Sequence, residues 1–164
     1  MPVAWMLTSS ATTEVIKFFI KWVKDVSPGI WSRVIMTDRD QAQIAALGIV
    51  YPQSQIFLCR WHVLHAMRCH FVTSEFQALW EKIKAWVMTG NVVEFHSLWE
   101  SIYTNPSVPQ SIIKYLTKEW IPVVHMWSKV ARKGQSIYEE GDTNMLIESY
   151  VVYLFDEIIK LIES

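Results

Sequence analysis

Several familiar classes are excluded by what the chain has little of. It holds two cysteines in 164 residues, Cys59 and Cys69, which is too few for a disulfide framework. On a single helix these two would sit ~15 Å apart along the axis, out of bridging range. A reducing compartment is therefore expected. Five glycines and six prolines rule out a collagenous or low-complexity chain. No apolar run reaches the ~20 residues of a membrane span. The opening MPVAWMLTSS has neither the basic start nor the long apolar stretch of a signal peptide, so no membrane partner is expected. Positive charge is not in excess either: 15 Lys and Arg stand against 16 Asp and Glu, a net charge of −1. A nucleic-acid partner would need local positive charge, or charge from elsewhere, because such affinity rests on phosphate neutralisation. There is no internal repeat.

Apolar and aromatic residues are abundant. The chain is 51% hydrophobic with nine Trp, enough to bury a core. Its length fits one domain or a piece of a larger one. The segment from Arg33 to His62, RVIMTDRDQAQIAALGIVYPQSQIFLCRWH, organises the reading. Val34, Ile35 and Met36 form a short apolar strand, and Thr37 and Asp38 end it. A short helix follows over Gln41 to Leu47, with Gly48 as its expected stop. Pro52 keeps the connection turned, and Gln55 to Leu58 is a second strand. An Asp at the exit of a buried strand faces the site region of an open α/β sheet. Asp38 is expected to point into that crevice and Asp40 toward the cap of the next helix.

Before this segment, Val3 to Leu7 reads as a strand. Thr8 to Ser10 is a polar turn able to cap a helix reaching Val26. That helix has Val15, Phe19, Trp22 and Val26 on one apolar face, with Ile16, Ile20 and Val23 beside it. The alternation of strands and helices predicts a mostly parallel sheet with right-handed crossovers. After His62 the pattern is nearly all helical. Helices are expected over Arg60 to His70, from a capping box at Ser74 and Gln77, from Asn91 and Glu94, and from Pro109 and Gln110. A further one bends at Pro122. Trp80, Trp86, Trp99, Trp120 and Trp127 read as the core of this helical block. Lys129 to Glu140 reads as a polar turn region. Asp142, Thr143 and Asn144 then cap a last helix to about Ile162.

The acidic residues at element ends, Asp38, Asp40, Asp142 and Glu148, are the candidates for chemistry. Carboxylates so placed can hold Mg²⁺, a hard cation that takes oxygen ligands. A pair of such ions can clamp both oxygens of an in-line phosphoryl displacement. An Asp in this position is also an ordinary helix cap. Cys59 and His62 form C-x-x-H on a helix, with His65 and Cys69 on a similar face. One zinc ion cannot collect all four from a straight helix. Packing is the better reading of C-x-x-H, and a structural zinc is not expected. Asp38-Arg39-Asp40 is also a D-x-D after an apolar strand, so a metal-dependent glycosyltransferase is a minor alternative.

The stretches PVAWMLTSS, IMTDRDQAQIAAL, VYPQSQIFLCRWHV and DTNMLIESY, in that order, resemble the transposase domain of Mutator-like elements (MULE), of the type common in fungal genomes. The likeness runs from about Pro2 to Tyr150. It implies an α/β fold, a ribonuclease H-like core interrupted by an all-helical insertion. The core would fall at 1–70, the insertion at 71–140 and a returning helix at 141–164. It also implies a DDE metal site that cuts DNA with water and joins strands through a 3′ hydroxyl at Mg²⁺. Asp38 matches the second acidic residue of that triad and Glu148 the third. Cys59 and His62 match the family's C-x-x-H and are expected near the site in a structural role, with Asp40 and Asn144 beside them. DNA at transposon ends, a nuclear location and an open question of homo-oligomers follow from the same likeness.

The chain departs from the family in three places. No residue matches the first Asp of the triad. Val3 to Leu7 corresponds to the third strand, so the core is expected to be truncated to three strands. Val151 to Ser164 is apolar and acidic where the family is polar and basic. The expectation is a transposase fragment that is inactive alone, with a non-catalytic DNA- or protein-binding derivative as the alternative.

Overall fold

The computed structural model describes residues 6, 8–28, 33–71 and 74–132. The chain divides into two compact units, and the division falls between Ile56 and Phe57. The described part is mostly helical, with one parallel sheet of two strands. The strand expected at Val3 to Leu7, the cap at Asp142 to Asn144 and the last helix lie outside the described residues.

The first unit opens with helix α1, Thr13–Val26. Its N-cap is Thr12, whose hydroxyl accepts from the Val15 N–H at 3.4 Å. Thr8 to Ser10 instead closes a small turn of its own, the Ser10 N–H donating to the Thr8 hydroxyl at 3.2 Å. A hydroxyl already holding a local turn cannot also serve the helix. The apolar face is rotated from the expected one. Ile16 is buried and Ile20 and Val23 are half-buried, whereas Phe18, Trp22 and Val26 are exposed. The apolar arc of this two-faced helix is broad, and only the part of it around Ile16, Ile20 and Val23 is covered, which periodicity alone does not specify. Its wet side carries the pairs Lys17–Glu14 at 2.5 Å and Lys21–Asp25 at 2.6 Å.

Strand β1, Val34–Thr37, leads to helix α2, Gln41–Val50, and then to strand β2, Gln55–Leu58. The Gln55 N–H donates to the Arg33 carbonyl at 2.9 Å, beside the start of β1. Helix α2 runs three residues past the expected stop. A side chain added at Gly48 would meet nothing within 4 Å, so no close approach requires the glycine there. Burial of Ala46, Leu47 and Val50 outweighs its ~1 kcal/mol helical penalty. The helix ends instead at Tyr51, because a residue before proline is pushed out of the helical region. Lys24 of α1 donates to the carbonyl of Val50 at 2.7 Å and lies 5.0 Å over the Tyr51 ring. A cation thereby meets the negative end of α2, which ties α1 to it.

The second unit begins within β2 and continues through α3, Arg60–Arg68, α4, Gln77–Met88, α5, Val92–Tyr103, and α6, Gln110–Tyr115. Asn91 caps α5 as expected, its side-chain oxygen accepting from the Val93 and Glu94 N–H groups at 2.9 and 3.2 Å. The capping box expected at Ser74 does not form. Helix α4 starts at Gln77 after Phe76, without a side-chain cap. The Gln77 side chain instead donates forward to Glu81 at 2.9 Å.

Pro122 shapes the end of the unit. It lacks an N–H and its ring opposes a helical carbonyl four residues back. The chain answers by widening to a π-helical turn over Leu116–Trp120, then tightening to a 3₁₀ turn over Ile121–Val123. This leaves the Trp120 carbonyl available, and the indole N–H of Trp127, on the short helix α7, Val124–Trp127, donates to it at 2.8 Å. Trp86, Trp120 and Trp127 are fully buried. Trp86 packs on Phe95, Trp99 and Trp127 with ring centroids 5.4, 4.9 and 4.8 Å apart. Three of the five expected tryptophans thus lie in the core of the helical block, whereas Trp80 and Trp99 are half-buried.

The region expected to be a polar turn carries a buried side chain. Lys129–Arg132 is a 3₁₀ turn, and the Arg132 guanidinium is buried. It donates to the carbonyls of Leu58 and Met126 and lies 5.2 Å over the Phe57 ring. No described helix is long and apolar enough to cross a membrane.

Candidate functional site

In the first unit, β1 delivers Asp38 and α2 begins three residues later, at Gln41. The two acids at this junction have different tasks. Asp40 is the N-cap of α2, its carboxylate accepting from the Gln43 N–H at 2.8 Å. It satisfies a donor that the helix cannot pair internally. Asp38 is half-buried at the strand exit. Its only described neighbour in hydrogen-bonding range is the Thr37 hydroxyl, 3.4 Å from Oδ1. That hydroxyl has one proton and also lies 2.6 Å from the side-chain oxygen of Gln43. The shorter contact takes the proton, so no donor among the described residues is committed to the Asp38 carboxylate. Buried Thr37 and the cap at Asp40 fix the backbone on both sides of it.

The division of labour between the two acids has a measurable signature. Asp40→Ala is expected to lower the stability of this unit by about 1 kcal/mol through loss of the cap. Asp38→Asn is expected to change it by less than ~0.5 kcal/mol. Urea titrations of the two variants distinguish the roles, and equal losses would mean that Asp38 also holds the fold.

Cys59 and His62 belong to the second unit. Cys59 is completely buried and occupies the N-cap position of α3 without donating or accepting a cap bond through its side chain. His62 is half-buried one turn later, its ring edge-on to Trp61 at 4.9 Å. Cys59 is thus enclosed by the core, whereas the His62 ring stays partly exposed. Glu148 and Asn144 lie outside the described residues. Among the described residues, no three His, Cys, Asp or Glu side chains gather as a metal-binding group. Asp38 is suited to a hard cation by its chemistry, whereas one oxygen of Asp40 is engaged by a helix N–H.

Sequence reasoning missed Arg132. Arg132 could not be recognised as buried because its acceptors, Leu58 and Met126, are backbone carbonyls, which leave no mark in a sequence. His65 and Cys69 were seen as one helical face, and their contact at 3.7 Å is what the structure adds.

A family model of the MULE transposase domain matches residues 1–66. The matched segment includes Asp38, Asp40, Cys59 and His62, and it points to a transposase-family origin for the chain. No curated protein and no solved structure matches.

Proposed function

We propose that this chain derives from a DDE-type DNA transposase in which Asp38 and Glu148 supply two of the carboxylates around Mg²⁺. The carrying observation is the placement of Asp38. It stands at a strand exit inside the matched segment, with its carboxylate left over after Asp40 has capped α2. When bound, Mg²⁺ supplies an activated water and stabilises the departing 3′ oxygen of the DNA strand. Asp38 holds an oxygen ligand in place on a short, hydrogen-bonded strand, and Glu148 is to reach it from the helix expected after the helical block. DNA at transposon ends is the corresponding partner and the nucleus the corresponding compartment.

Only Asp38 and Glu148 are assigned as carboxylate ligands. Two carboxylates do not build a two-metal clamp, so the chain by itself is expected not to cut DNA. The assay incubates it with Mg²⁺ or Mn²⁺ and end-labelled terminal-repeat DNA. Intact DNA is the expected result, and nicking that disappears in Asp38→Ala overturns it. Pairing of the two acids is read separately, by replacing Mg²⁺ with Fe²⁺ and mapping hydroxyl-radical cuts in the protein backbone. Cuts are expected around positions 38 and 148 together, and both sets are lost in Asp38→Ala. Cuts at neither position, or at one alone, would sink the shared site.

A further inference from the structure

The geometry points to a second, separate cation site: we propose that His65 and Cys69 form a surface chelate for a soft divalent cation of the zinc class. The two residues stand four apart at the C-terminal end of α3, on one face of the helix. Cys69 Sγ lies 3.7 Å from His65 Nε2. In a tetrahedral zinc site with Zn–S ≈ 2.3 Å and Zn–N ≈ 2.0–2.1 Å, the sulfur and nitrogen ligands are separated by roughly 3.6 Å. The ligand atoms are therefore already at chelating separation, and binding requires little rearrangement.

Three further features favour the site. Trp61, one turn earlier, stacks on His65 with ring centroids 4.8 Å apart and planes 7° apart. This stacking limits the rotation of the imidazole and aims Nε2 along the helix toward Cys69. The last carbonyls of α3 present the negative end of its dipole to a cation placed there. Both ligand residues are exposed, so water can fill the remaining coordination positions. Arg68 on the same turn opposes a cation, but it too is exposed and its field is screened by solvent and salt.

On binding, the thiol proton leaves to solvent, the thiolate and the Nε2 lone pair each bond the metal, and Nδ1 keeps the ring proton. A two-ligand chelate avoids the limit that bars a straight helix from supplying all four ligands of a closed zinc site. Cys59 is buried and cannot compete for an ion at the surface.

The experiment titrates the full chain with Co²⁺ as a spectroscopic probe, then with Zn²⁺. A thiolate-to-cobalt charge-transfer band should saturate near one equivalent and be displaced by Zn²⁺. Cys69→Ser should abolish the band, and His65→Gln should weaken binding by about tenfold or more. Both positions are exposed, so circular dichroism of these variants should match the parent. Asp38→Asn should leave the titration unchanged, which separates this site from the carboxylate site. Absence of the band, its persistence in Cys69→Ser, or unchanged affinity in His65→Gln would each overturn the proposal.

Discussion

Trp86→Ala is expected to destabilise the second unit by about 3–5 kcal/mol, the range for removing a buried aromatic side chain. That is a large share of the ~5–15 kcal/mol that typically separates folded from unfolded domains. The reason is positional. Trp86 is fully buried on α4 and touches Phe95 and Trp99 of α5 and Trp127 of α7. One truncation therefore opens a cavity shared by three helices, none of which can close it without moving the others. Trp86→Phe is the informative control. The indole N–H has no hydrogen-bond acceptor among the described residues, so replacing indole by phenyl removes volume but no hydrogen bond. It should lose less than half of what Ala loses. Urea unfolding followed by circular dichroism measures both, and equal losses would show that the indole N–H makes an essential polar contact.

Arg132→Ala is expected to have the second-largest effect, about 3 kcal/mol. The guanidinium donates to the carbonyls of Leu58 and Met126, and each buried carbonyl left without its donor costs ~1–3 kcal/mol. The face of the same group covers the Phe57 ring, so packing is lost along with hydrogen bonds. Arg132→Lys keeps the charge but replaces a planar fork by a single ammonium, and should recover only part of the loss. Arg132→Met keeps volume over Phe57 without a donor, and its measured midpoint divides the packing share from the hydrogen-bond share. A surface role for Arg132 would be shown by midpoints within ~0.5 kcal/mol of the parent for all three variants.

The legible parts of this chain were those where one signal had one physical cause. The strand Gln55–Leu58 lies where an apolar run is bounded by polar turns, and the cap at Asn91 lies where a short polar side chain precedes an apolar helix. The capping role of Asp40 followed from the change of backbone period at a strand-to-helix junction. Trp86, Trp120 and Trp127 could be assigned to the core of the helical block because few other environments suit so many large aromatics. What stayed hidden was decided by partners far away in sequence. Which part of the broad apolar arc of α1 is buried depends on α2, a partner later in the chain. Gly48 reads as a stop, yet the burial of Val50 carries α2 onward. Ser74 has the spelling of a cap, but the helix begins later, where the Gln77 side chain pairs with Glu81. The π-turn before Pro122 depends on how the chain distributes the strain of a missing N–H, and a sequence gives the cause without the remedy.

The Arg132 clasp has a topological consequence. It joins position 132 to position 58 across 74 residues of chain, so the helices between them form a loop held shut at its base. The entropic cost of closing a loop grows only slowly with its length. Residues can therefore be added to the turns between those helices at small cost, provided that the clasp stays intact.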